Sequence, residues 1–228
     1  MTRLSLNDLT IIFNYHKDKE QLDFVMDQWQ KANPSGDLSF IICDTGPHNH
    51  TIDCDGLRKY NFKIKVLKLD KYLPFNQPLG KNLSMMECDT KWAFITDPDR
   101  FLGKESLDIL ESCSLEEDVA YDFDDYNYDP ETGGKASPRN RHPNTFLLTK
   151  NYFNKVGGYN ELFCGSYGFD DCAFREQIVI KTIPSTYIFH HHLDDDRVRD
   201  TRRNALYYMQ GKERPFVSGT GSYQIIFP

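Results

Sequence analysis

Residues 94–102 read FITDPDRFL: an apolar strand that runs straight into two aspartates split by a proline. Side chains alternate along an extended chain, so Asp97 and Asp99 fall on the same side. Pro98 has no N–H to give to a ladder, so it belongs where the strand has stopped. Two carboxylates side by side repel unless a positive group sits between or beside them. The simplest such group is a hard divalent cation carrying a phosphorylated ligand. A solvated Asp-Pro turn has the same sequence, so the rest of the chain must decide.

Upstream of that stretch the pattern is regular. Residues 9–13 (LTIIF) read as a short, β-branched buried strand. Asp18 and Gln21 have capping-box spacing, and Leu22, Val25, Met26 and Trp29 follow as a helical stripe that Pro34 and Gly36 end. Residues 38–43 (LSFIIC) are a second buried strand closing on Asp44, and 62–69 alternate as an edge or half-buried strand. A short helix over 82–87 leads into the strand 92–96. Strand, helix, strand, strand, helix, strand predicts an α/β chain with a mostly parallel sheet, whose ligands bind at the carboxyl ends of the strands. Asp44 and Asp97 both stand at such ends.

Downstream the pattern loosens. Residues 116–131 are dense in acids and tyrosines, followed by a loop carrying Lys135, Arg139 and Arg141. A helix is expected over 149–156 with Gly157 and Gly158 as its cap. Another is expected over 172–180, and a short strand over 186–189 runs into His190, His191 and His192. With no repeat and no linker, residues 1–228 read as one domain, whose second half, 103–228, is irregular.

The 228 residues carry a net charge of −7, which opposes general nucleic-acid binding. No apolar run reaches the ~20 residues of a membrane span, and the start lacks a signal-peptide layout, which predicts a cytoplasmic protein. Six cysteines without a C-x-x-C pair predict free, buried thiols. Three clusters can carry chemistry. Asp97 and Asp99 with Asp44 form the first. The second is GSYGFDD (165–171), where Gly165 and Gly168 free the backbone and Asp170 and Asp171 open a helix, as ordinary caps also do. The third is the histidine run, in which His190 and His192 share a face and suit a metal, unless the run is a solvated loop.

In order, IICDTG, LGKNLSMME, FITDPDRFL, KVGGYNELFCGSYGFDD and a late histidine resemble a GT-A glycosyltransferase of the family 2 type, with a galactosyltransferase-like acceptor motif. The resemblance covers roughly residues 9–192. It implies a single Rossmann-like domain, with 1–102 binding a nucleotide sugar and 103–228 an acceptor; Arg197, Arg199, Arg202 and Arg203, beyond the histidines, read either as a C-terminal lid over the diphosphate or as a solvated basic helix. It gives Asp44 to the nucleoside base, Lys81 to the diphosphate and Asp97 to the ribose or metal. Asp99, His190 and His192 would hold Mn2+ or Mg2+. Tyr167, Gly168 and Asp170 would meet acceptor or donor sugar, and Asp171 would be the catalytic base. Thr45 departs from the usual second aspartate, Lys81 from arginine, and Phe169-Asp170 from Gly-Glu.

The function expected is metal-dependent, inverting transfer of a hexose from a nucleoside diphosphate, UDP first. The acceptor hydroxyl would belong to a glycan, a glycoconjugate or a modified base in DNA. A sugar nucleotidyltransferase would want a glycine-rich loop after the first strand, which IIFNYHKDKE lacks. An acidic module binding Ca2+ or carbohydrate without catalysis would explain DPD and 122–129, but not the α/β first half. Oligomeric state is not legible.

Overall fold

The computed structural model describes residues 1–47, 51–191, 199–210 and 222–227. Strands β1 (Thr2–Arg3), β2 (Leu9–Tyr15), β3 (Ser39–Asp44), β4 (Lys63–Leu69), β5 (Trp92–Ile95) and β6 (Arg100–Leu102) fill the first half. Helices α1 (Lys19–Ala32), α2 (Cys54–Leu57) and α3 (Gln77–Met86) lie between them. The second half holds α4 (Lys104–Ser112), β7 (Ser114–Leu115), β8 (Ala120–Asp129), β9 (Gly134–Arg139), β10 (Phe146–Thr149) and α5 (Lys150–Val156). It continues through α6 (Asp170–Arg175), β11 (Ile180–His190), α7 (Arg202–Met209) and β12 (Tyr223–Phe227).

One mixed sheet takes strands from both halves in the order β12-β4-β3-β2-β5-β10-β8-β11-β6, with β9 hanging from β8. Its centre, β4-β3-β2-β5, is parallel. Helices cover both faces. Every residue of β2 is buried, with Leu9, Ile11 and Phe13 in one core beside Trp29 of α1 and Leu107 of α4. Ile12 faces the other way, with Leu83 of α3, Phe153 of α5 and Phe174 of α6. A period of two along a strand, buried on both sides, produces this three-layer arrangement. Asp18 caps α1 by accepting the Gln21 N–H at 2.9 Å, as its spacing predicts.

Five expectations are corrected. Helix α3 starts at Gln77, five residues before the expected 82, because Pro78 fits a first helical turn and Gly80 lies against β2. A Cβ at Gly80 would come within 2.2 Å of the Asn14 Oδ1. The helix expected over 172–180 is the six-residue α6, and the strand expected over 186–189 begins at Ile180. The acid-rich segment is a strand, β8, so the second half is not irregular. Asp122 of β8 is buried, with its charge met by Arg141 at 3.1 Å and Arg175 at 3.2 Å. The cysteines are free, but only Cys43 and Cys88 are fully buried.

Candidate functional site

Parallel β5 delivers the chain to Asp97 and Asp99, and both side chains keep an open edge, 22% and 33% exposed. The positive charge that the pair requires comes from the protein itself. Lys81 of α3, fully buried, sets its Nζ 3.3 Å from the Asp97 Oδ1. Arg100, also buried, hydrogen-bonds the Asp99 Oδ1 and lies 4.0 Å from the Asp97 Oδ2. The His190 Nε2 is 3.2 Å from the Asp99 Oδ2, and the His142 Nε2 is 3.5 Å from the Asp97 Oδ2. Burial pushes both carboxyls up, but the surrounding positive groups more than offset it. Lys81 leads at Asp97, Arg100 and a hydrogen bond from His190 at Asp99, and both are held below the usual carboxylate range. Both aspartates therefore stay ionised, ready for a cation or a hydroxyl donor.

The loop between β9 and β10 supplies two residues that the sequence reading missed. The Asn144 Nδ2 donates to the Asp97 Oδ1 at 3.0 Å, while its Oδ1 accepts the Tyr159 hydroxyl at 2.9 Å. Burial holds the neighbouring His142 down at about 4, so its imidazole is neutral at pH 7. Nothing in RHPNT (141–145) announces these roles, which arise only when β10 pairs with β5. Behind Arg100 stands Asp125 of β8, buried, its Oδ2 3.6 Å from the Arg100 Nε. Burial raises this carboxyl despite Arg100 and Arg139.

Asn82, next to Lys81, joins the halves. Its Oδ1 accepts the Tyr159 N–H at 2.9 Å, and its Nδ2 donates to the Tyr159 carbonyl and the Glu161 Oε1 at 2.9 and 2.8 Å. The Lys81 ammonium also lies 5.3 Å from the Tyr159 ring centre. Beyond Tyr159 the chain turns through Gly165 and Gly168 at φ 89° and 85°, then Phe169 at φ 66°. That last value is a strained setting for a bulky residue. Helix α6 begins there with Asp170 and Asp171. Burial, opposed by Lys81, raises the Asp170 carboxyl to about 6. The Asp171 Oδ1 accepts the Cys172 N–H at 2.8 Å.

The predicted site residues thus divide. Asp97, Asp99, Lys81 and His190 converge, and Asp170 acts on the same centre through the Lys81 and Asp97 charges. His190 belongs to a buried strand end, not to a solvated loop. His192 lies outside the described residues, as do Asp194–Asp196 and Arg197. Asp44 is fully buried at the end of β3, accepting from the Gly46 and Ile52 N–H groups and from Lys68 at 2.9 Å. The Tyr167 ring packs edge-on against Phe75, 5.1 Å between centres. Arg139 and Arg141 have guanidiniums turned toward Asp125, Asp122 and Asp124.

The fold has relatives among solved structures. S. aureus TarS (residues 1–349) in complex with UDP-GlcNAc superposes with a TM-score of 0.63 at 10% identity, over 83% of this chain and 60% of that one. The fold is GT-A. GalNAc-T7 with UDP, GalNAc and Mn2+ follows at 0.62 and 11%, over 82% and 44% of the two chains. The mannosyltransferase PcManGT from Pyrobaculum calidifontis, in complex with GDP-Man and Mn2+, gives 0.57 at 12%, over 80% and 56%. The chain thus spans about half the length of these neighbours. No family model and no curated protein sequence matches it. Among the described residues no helix is long and apolar enough to cross a membrane.

A divalent cation is tested against this geometry by its donors. Among the described residues no group of three His, Cys, Asp or Glu side chains is placed to hold one ion. The Asp99 Oδ2 and His190 Nε2, 3.2 Å apart, are nonetheless close enough to share one ion. An oxygen beside an imidazole nitrogen suits Mn2+ better than Mg2+. These two donors would hold one side of such a cation.

Proposed function

We propose that this chain is a metal-dependent, inverting glycosyltransferase of family 2 type, moving a hexose from a nucleoside-diphosphate sugar, UDP first, to an acceptor hydroxyl. The carrying observation is the Asp97–Asp99 pair at the end of a parallel strand in a GT-A fold, ringed by Lys81, Arg100, His142 and His190 and coupled to Asp170. Asp99 and His190 would hold the metal, with His192 as a further candidate. Once bound, the metal neutralises the charge that develops on the departing diphosphate.

The chain's own residues divide the remaining work. Asp97, oriented by Lys81 and Asn144, accepts hydroxyl hydrogen bonds from ribose or sugar. Lys81 is too deep to meet a diphosphate directly and acts as a fixed positive charge beneath Asp97. Asp44 shapes the base pocket through the turn at Thr45 and Gly46, whose N–H it holds. Asp170 binds hydroxyls of the acceptor sugar. Asp171 takes the acceptor's proton as the acceptor oxygen bonds to the anomeric carbon and the bond to phosphate breaks. Tyr167 and Gly168 line the acceptor approach. Release of UDP from a panel of UDP-sugars with Mn2+, abolished by EDTA, tests the reading. Should no nucleotide sugar be turned over with any metal, the reading is wrong.

A further inference from the structure

The turn that launches Asp170 and Asp171 cannot hold its own shape. Phe169 sits in the left-handed region, a setting that costs a non-glycine residue on the order of 1–3 kcal/mol and persists only where the surroundings over-determine it. Those surroundings come from α7. Asn204 is fully buried, and its Nδ2 lies 3.0, 2.8 and 2.9 Å from the carbonyl oxygens of Phe163, Ser166 and Gly168. Arg203 reaches the carbonyls of Cys164 and Leu162 at 2.8 and 3.2 Å. The Phe169 ring lies 5.2 Å from that of Tyr208. A Cβ at Gly168 would stand 3.3 Å from the Thr201 Cγ2, so the turn and the start of α7 are already in close contact. One amide side chain thus gathers three carbonyls of a turn that has no ladder of its own.

We propose that Asn204 is a positioning residue for transfer, holding the strained turn so that the Asp170–Asp171 carboxylates face the Asp97–Asp99 centre. This rests on the glycosyltransferase reading given above. Among the described residues no hydrogen bond or ion pair joins α7 to Asp97, Asp99 or Lys81, so the brace acts on the acceptor side. A catalytic group displaced by about 1 Å can lose 10²-fold in rate. Asn204→Ala is therefore expected to lower kcat by about 10- to 100-fold, with KM for the UDP-sugar changed by less than about twofold. Amide hydrogen exchange over residues 163–170 should accelerate, while exchange in β5 and β2 stays as it was.

The experiment compares wild type, Asn204→Ala and the milder Arg203→Ala in Mn2+-dependent UDP release, alongside the exchange measurement. Unchanged kcat in Asn204→Ala overturns the proposal, as does a rise in KM that accounts for the whole loss. If Asn204→Ala does not fold, Arg203→Ala decides, with a smaller fall in kcat, KM held and faster exchange in the same turn. If wild type turns over no UDP-sugar, the transferase reading fails and the assignment of Asn204 to transfer falls with it. Exchange still distinguishes the two failures: faster exchange shows that the brace exists without that chemistry, and unchanged exchange shows that there is no brace.

Discussion

The two parts of the candidate site are built by different physics. At the end of β5 the geometry is a balance of charges, with two aspartates met by the charges of Lys81 and Arg100 and by the imidazoles of His142 and His190, at 3.2 to 4.0 Å or closer. Across from it, the turn before α6 is held by its backbone, with three residues at positive φ and carbonyls gathered by Asn204 and Arg203. A charge-balanced site rests on a rigid sheet and fails when a charge is removed. A turn held through its backbone fails when its packing loosens. Donor affinity should therefore respond to charge changes on the first side, and turnover to changes on the second.

The largest effect is expected at Asp99. The metal's stabilisation of the transition state is worth several kcal/mol. Asp99→Asn should therefore lower kcat/KM on the order of 10⁴-fold, with Mn2+ and UDP affinity lost together. A variant that keeps metal-dependent UDP binding would erase the contrast between the two sides. Asp171→Asn keeps size and capping ability but cannot take a proton. It should lower kcat about 10³-fold with UDP affinity unchanged. If Asp170→Asn does this instead, the two roles are exchanged.

Asp170 also predicts a stability effect. Its carboxyl is raised to about 6, so the folded protein holds this proton to a higher pH than the unfolded chain does. Its contribution to stability falls as pH rises from about 4 to 6 and stays low above that. Removing the charge with Asp170→Asn should make the protein more stable at pH 7, by up to about 3 kcal/mol, and flatten the pH dependence in that window. Thermal denaturation of wild type and variant at pH 4, 6 and 7.5 reads this directly. A more stable, less active variant marks a functional carboxylate. A destabilised one would mean that Asp170 is only a cap.

The smallest expected effect is at the join. Asn82→Ala strips partners from the Tyr159 N–H and carbonyl and should cost about 2 kcal/mol in urea denaturation. Equal loss of kcat and donor affinity would show that the halves are one unit. A loss confined to kcat would keep them separable.

How much of this was legible in the sequence follows the same division. The strands β2 and β3 and the helix α1 announce themselves, because the strands are short continuous apolar runs and the apolar residues of α1 repeat at 3.6. So does the Asp97–Asp99 pair as a charged cluster, although the two are brought together by a turn that the Arg100 N–H closes on the Asp97 carbonyl, not by an extended chain. Strand β8 was hidden because its acids read as solvated until Arg100, Arg139, Arg141 and Arg175 arrive from elsewhere in the chain. His142 and Asn144 were hidden likewise, since their partner is 45 and 47 residues away and met only through the pairing of β10 with β5. The start of α3 was missed because Gly80 is a poor helix former, retained where Asn14 leaves no room for a side chain.

The central claim is that the Asp97–Asp99 centre binds a nucleoside diphosphate through a divalent cation, while the Asp170–Asp171 turn serves only transfer. Titration calorimetry of UDP into wild type, Asp99→Asn and Asp171→Asn, each with Mn2+ and with EDTA, tests it most directly. The account predicts binding to wild type and Asp171→Asn with the same affinity in Mn2+. It predicts none to Asp99→Asn, and none to any of the three in EDTA. Equal UDP affinity in Asp99→Asn and wild type, or binding that survives EDTA, would contradict it.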